Sequence, residues 1–122
     1  MRDPQRVVHI YELGCVGHCI IGHRCRWRRH TQIDHKYRVS TIGLYYQDEL
    51  AEKPSSLGGS DDDLFETMVF ETTANPVPDN DGCGCHDVVS WEEIEGRRYA
   101  TVYDARMGHE AMVTKYAKLY HQ

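Results

Sequence analysis

The amino-acid sequence predicts an α+β fold, in which a small antiparallel sheet of three to five strands is packed by a C-terminal helix. Segments rich in β-branched and aromatic residues alternate between apolar and polar positions, as strands do. Long polar stretches with Pro and Gly separate these segments. The end of the chain carries apolar residues at helical spacing. The 122 residues fit one domain, with a Cys/His-rich hairpin region at 7–35 and the sheet and helix at 36–122.

The first half of the chain contains three strand signals. Residues 7–13 (VVHIYEL) alternate and are β-branched, and residues 26–33 fit a short second strand. Asp34-His35 fits a turn. Residues 36–46 (KYRVSTIGLYY) form the strongest strand signal of the sequence.

The middle of the chain is predicted to alternate between loops and strands. Residues 48–63 are polar, with Pro and a Gly pair, and indicate a surface loop. Residues 63–71 (DLFETMVFE) indicate a strand, and 72–87 indicate a second long loop. A short strand is expected near 97–100.

The last element is predicted to be an amphipathic helix. Thr101 and Asp104 have the spacing of a capping box, in which side chains satisfy the N–H groups of the first turn. Five residues form an apolar stripe at helical spacing: Ala105, His109, Met112, Tyr116 and Leu119. On this stripe, His109 is expected to be a hydrogen-bonded core residue rather than a catalyst. Gly108 is expected to allow close packing against the sheet.

Charge is distributed unevenly along the chain. The net charge is −5, but residues 1–40 carry +5, residues 41–96 carry −13 and residues 97–122 carry +3. No run approaches the length of a membrane span, and the N-terminal residues lack the pattern of a secretory signal. We therefore expect a reducing cytosolic environment, in which cysteines serve as metal ligands or as thiols.

Two clusters of cysteine and histidine predict a structural zinc site. Structural zinc takes four Cys or His ligands in a tetrahedron, and pairs from two distant loops can staple a small fold. The ligands would be four of the following residues, with both loops contributing: Cys15, Cys19, His23, Cys25, Cys83, Cys85 and His86. The alternatives are free thiols on a glycine-rich loop, or a catalytic or redox site.

A run of cationic residues predicts a binding surface. The segment 24–30 (RCRWRRH) holds Arg24, Arg26, Trp27, Arg28 and Arg29. Arginines bind phosphates bidentately and an aromatic ring can stack on a base, so the segment suits nucleic acid or another partner. The alternative is that the arginines pair with the acidic middle of the same chain, and that Trp27 lies in the core. The acidic run 61–63 is expected to be a solvated loop.

The chain resembles a family of small uncharacterised proteins of tailed bacteriophages. The resemblance rests on Val39-Ser40-Thr41, the ETMVF segment at 66–70, Arg98-Tyr99 and the GHEAMV segment at 108–113. It covers roughly residues 37–120 and implies a phage product made inside an infected bacterium, with no activity to carry over.

We therefore expect a non-enzymatic phage accessory protein that binds a host protein or nucleic acid and carries a structural zinc, outside any membrane. One alternative is a virion component held by oligomeric contacts. Another is a metal-dependent hydrolase or nuclease built around His18 and His23.

Overall fold

The computed structural model describes residues 8–13, 24–48, 50–58, 60–76, 86–90 and 92–121. These residues form six strands and one helix. In chain order they are β1 (Ile10–Leu13), β2 (Cys25–Ile33), β3 (Tyr37–Tyr45), β4 (Phe65–Pro76), β5 (His86–Val88), β6 (Glu95–Tyr99) and α1 (Val102–His121). No helix among these residues is long and apolar enough to cross a membrane.

The sheet is open and antiparallel, and α1 packs on one of its faces. Strands β1, β2, β3, β4 and β6 pair in that order. The short β5 pairs with the far half of β4. The prediction of an antiparallel sheet packed by a C-terminal helix is confirmed. The sheet has one short strand more than expected. Strand β2 pairs with β3 along its length, so part of the predicted hairpin region is integral to the sheet.

Most predicted elements lie where the alternation of the sequence placed them. The turn at Asp34-His35 joins β2 to β3, and Asp34 adopts a left-handed φ of 49° that Asp tolerates well. The prediction that 72–87 is entirely loop was wrong. Strand β4 continues through Thr72 to Pro76, and β5 follows at the end of the same range. Proline is tolerated there because it ends the strand.

The helix begins as its sequence predicts. The Thr101 hydroxyl accepts a hydrogen bond from the Asp104 backbone N–H at 3.1 Å, which caps the first turn. Four of the five stripe residues are buried, but Leu119 is 47% exposed, so its predicted core position was wrong. Val113 is buried instead and joins a core cluster with Val39 and Val69.

Two glycines permit close approaches between elements. A Cβ at Gly43 would lie 2.0 Å from the Phe65 ring, which covers this position of the sheet. A Cβ at Gly108 would lie 2.1 Å from the hydroxyl oxygen of Tyr99. Gly108 therefore lets α1 lie directly against β6, as the sequence predicted.

A chain of hydrogen bonds crosses the core beneath α1. His109 is fully buried, and its Nε2 and Nδ1 lie 2.7 Å and 2.6 Å from the hydroxyls of Thr31 and Thr41. Thr31 donates its only hydroxyl proton to Glu12 at 2.9 Å, so it must accept from Nε2–H. In the neutral ring, Nδ1 then accepts from Thr41, which in turn accepts from Thr67 at 2.6 Å. The Glu12 carboxylate thus fixes the tautomer of His109.

Candidate nucleic-acid interface

Strand alternation divides the arginine cluster between the two faces of the sheet. Successive side chains of a strand point to opposite faces. Trp27 and Arg29 share the face of Thr31, which contacts α1 through His109. Arg26 and Arg28 therefore lie on the opposite face. The structure does not bring all five predicted binding residues together.

Trp27 belongs to the packing beneath the helix side of the sheet. It is half-buried, and its ring meets the Phe65 ring edge-on, with centroids 5.8 Å apart and an interplanar angle of 82°. Gly43 lies between them in the ladder, opposite both residues. The Trp27 ring therefore packs against Phe65 on the face opposite Arg26 and Arg28.

Arg29 connects three elements of the fold. Its guanidinium lies 3.0 Å from the carboxylate of Glu12 on β1 and 2.5 Å from that of Glu110 on α1. The partners come from the two ends of the sequence and not from its acidic middle. With two carboxylates already bound, Arg29 is a structural cation.

The other three arginines are exposed and oriented by uncharged groups. Arg24 donates to the Gln47 carbonyl, and Arg28 donates to the Cys25 carbonyl at 3.0 Å. The Arg26 guanidinium lies 3.8 Å from the centroid of the Tyr46 ring. Within the described ranges, no carboxylate lies within ion-pair distance of these three guanidiniums. They form what we call the arginine edge: Arg24, Arg26 and Arg28.

The centre of the same face is polar and buried, which sequence reasoning missed. Gln32 and Arg38 lie opposite one another in the ladder, as do His30 and Ser40, and all four are at most 5% exposed. His30 Nδ1 lies 2.6 Å from the Ser40 hydroxyl. The only available signal was the polar alternation of RHTQ and RVS, which does not show whether a face is covered.

His30 adds no positive charge to the arginine edge at neutral pH. Burial, and then the positive charge of Arg38, lower the pKa of His30 to about 4. The cationic character of this face therefore comes from arginines, whose charge is constant with pH.

The far side of this face is acidic. Glu66 is buried and lies 3.0 Å from Arg98. Burial raises the pKa of Glu66, and the nearby Arg98 only partly offsets this effect. A groove of about 330 Å³ here has three acidic residues and two arginines among its lining residues: Asp63, Glu66, Glu93, Arg97 and Arg98. A polyanion on the arginine edge would therefore be repelled from this side.

Two of the predicted zinc ligands can be placed. Cys25 is buried at the start of β2, and the backbone of His86 pairs with Pro76 at the end of β4. The ladders place them at opposite ends of the sheet, roughly 30 Å or more apart at about 3.3 Å per residue. Ligands of one zinc ion lie within about 4 Å of each other, so these two cannot share an ion in one chain.

The remaining predicted ligands lie outside the described residues. They are Cys15, Cys19, His23, Cys83 and Cys85, and the same holds for His18. Among the residues that the structure does describe, no group of three or more His, Cys, Asp or Glu is arranged to hold a metal ion. The zinc site stays a prediction.

Comparison of the chain with models of protein families, with curated proteins and with solved structures finds no match.

Proposed function

We propose that this protein binds the phosphate backbone of nucleic acid through the arginine edge. The observation that carries the proposal is that three exposed arginines without a described ion pair occupy alternate positions of one short segment. Arg29, Lys36, Arg98 and Lys115 each contact a carboxylate. The three arginines of the arginine edge are exposed, and among the described residues their guanidiniums contact only carbonyls or an aromatic ring.

The contacts of the arginine edge orient its guanidiniums without using up their donors. A guanidinium has five N–H groups, and the described contacts of Arg24 and Arg28 each occupy one of them. The described contact of Arg26 is with the Tyr46 ring, which places no carbonyl or carboxylate acceptor on its N–H groups. Planar donors held in this way suit bidentate contact with phosphate oxygens.

The expected binding is weak and independent of nucleotide sequence. The backbone from 24 to 28 extends about 13 Å, which is roughly the rise of four base pairs. Trp27 is packed on the other face and does not read bases. The net charge of −5 and the acidic groove disfavour any extension of the contact.

Fluorescence anisotropy with labelled single-stranded and duplex oligonucleotides tests the proposal. Three phosphate contacts predict a slope of log affinity against log salt of about −2.7 on duplex, or about a 40-fold loss between 50 and 200 mM salt. The triple variant R24Q/R26Q/R28Q should lose binding at 50 mM salt.

A matched variant controls for charge alone. K53Q/R97Q/R106Q removes three exposed cations that lie outside the arginine edge. It should retain binding to within about threefold, because only long-range attraction is reduced. Equal losses in the two variants, or no binding by the unsubstituted protein at 50 mM salt, would contradict the proposal.

We further propose a structural zinc held by the Cys/His residues, in a phage accessory protein that acts in the cytoplasm of the infected host. Support comes from the ligand types, their spacing and the family resemblance. Because Cys25 and His86 lie at opposite ends of the sheet, a staple between the loops would use at most one of these two residues. Elemental analysis should find about one zinc per chain, lost in both C15S and C83S. Folded protein without metal would contradict this.

A further inference from the structure

The outward face of α1 has an apolar centre between opposite charges. Met107 is 56% exposed, and Ala111 and Thr114 are exposed beside it. Asp104 and Lys118 are exposed seven residues before and after Ala111. Residues seven apart recur on nearly the same side of a helix, so these five residues form one stripe.

The charged side chains at the two ends of the stripe lie outside the ion pairs of the described residues. Among the described residues, no ion pair includes Asp104 or Lys118. By contrast, the charged residues beside the stripe, Glu110 and Lys115, are paired with Arg29 and Glu95.

We propose that this stripe is a self-association surface, on which α1 of a second copy docks antiparallel about a two-fold axis at Ala111. Antiparallel docking about this axis brings residue 104 of each copy to residue 118 of the other. Each Asp104 then faces a Lys118, twice per dimer. The small Ala111 lets the helices approach at the axis, and Met107 covers the centre. A surface that is complementary to itself in this way identifies the occupant as a second copy.

The contact is small, which sets the concentration range of the test. The stripe is about 22 Å long and about 10 Å wide. The area that this length and width enclose is well below the area of about 800 Å² per partner that supports a stable complex. The dimer should therefore form in the range of about 0.1–1 mM by this contact alone.

Sedimentation equilibrium of the full chain up to about 1 mM, with charge variants mixed, tests the geometry. D104K alone and K118D alone place like charges together and should each weaken dimerisation at least about fivefold. An equimolar mixture of D104K and K118D should form a one-to-one heterodimer, because each contact then joins opposite charges. Few other docking arrangements predict this recovery.

Two further variants separate the stripe from the rest of the surface. A111E places two carboxylates at the axis and should abolish the dimer while circular dichroism shows an intact helix. V89E, at an exposed apolar residue outside α1, should leave the association unchanged. A protein that is monomeric at 1 mM overturns the proposal. So does a dimer that is insensitive to A111E, or a variant mixture that fails to associate.

Discussion

Acidification should destabilise this protein through His109, beginning as the pH falls below the ordinary histidine pKa of about 6.5. Burial, and then the nearby charge of Arg29, lower the pKa of His109 to about 4. In the unfolded chain the imidazole has its ordinary pKa of about 6.5. A depressed histidine pKa means that the unfolded state binds the proton more readily. The stability that neutral His109 contributes is therefore present above pH 6.5 and is lost as the pH falls toward 4.

The magnitude follows from these two values. Between pH 7.5 and 4.5, proton uptake by the unfolded state removes about 2.5 kcal/mol of unfolding free energy for this one group. His30, whose pKa is also lowered to about 4, adds a similar amount on the opposite face. The hydrogen bonds of His109 explain why protonation costs unfolding free energy. A protonated ring must donate at both nitrogens, so Thr41 can no longer donate to Nδ1.

The assay is urea denaturation followed by tryptophan fluorescence at half-unit steps of pH, for the wild type and for H109Q. The variant should be less stable at pH 7.5, by about 2–3 kcal/mol, because a buried pair of hydrogen bonds is lost or weakened. Its pH dependence should be shallower than that of the wild type by about 2.5 kcal/mol over the same interval. Parallel curves for the two proteins would refute the argument, since they would show that His109 does not titrate on unfolding.

Three further substitutions test individual contacts by urea or thermal denaturation. G108A should destabilise by about 1–2 kcal/mol, because the new methyl group meets Tyr99; in a Y99A background the same change should stabilise by up to about 1 kcal/mol, through helix propensity. R98A should cost about 1–2 kcal/mol at pH 7 and less at pH 5, because the loss of Arg98 raises the pKa of buried Glu66 further and a protonated Glu66 no longer needs a cation. An R98A penalty that grows on acidification would show that Glu66 is not the responsible group. T101A should cost about 1 kcal/mol by removing the cap of α1; no change would mean that water replaces the hydroxyl.

The alternation and the helical stripe were sufficient to predict the sheet and helix, but not what covers each face. Residues 36–46 and 63–71 alternate clearly and form strands close to the predicted bounds. The extension of β4 to Pro76 was missed, because TTANP has the composition of a loop and only its pairing with β5 makes it a strand.

The candidate site was predicted only in part, because the sequence does not show which face of the sheet the helix covers. Period-two alternation within RCRWRRH separates Arg26 and Arg28 from Trp27 and Arg29. The sequence does not say which pair faces the helix, because that depends on where α1 docks. The charge partners of Arg29 come from β1 and α1, 17 residues before it and 81 residues after it, and such distances leave no local signal.

The VST, ETMVF and GHEAMV segments meet in the core. Thr41 of the VST segment, Thr67 of ETMVF and His109 of GHEAMV form one run of hydrogen bonds. Gly108 and Tyr99 add the closest approach between α1 and the sheet. In this chain these segments determine how the helix docks on the sheet. The arginine edge lies outside them.

The hydrogen bonds of His109 also constrain the order of folding. They join positions 78 and 68 residues apart in the sequence, so each closes a long loop whose entropic cost precedes any gain. Before α1 docks, the hydroxyls of Thr31 and Thr41 must bind water where His109 binds in the folded protein. We therefore expect this domain to fold slowly. The sheet forms first with water bound to these hydroxyl groups, and the water is released only when the helix docks. Substitutions at Thr41 or His109 should then accelerate unfolding far more than they slow folding.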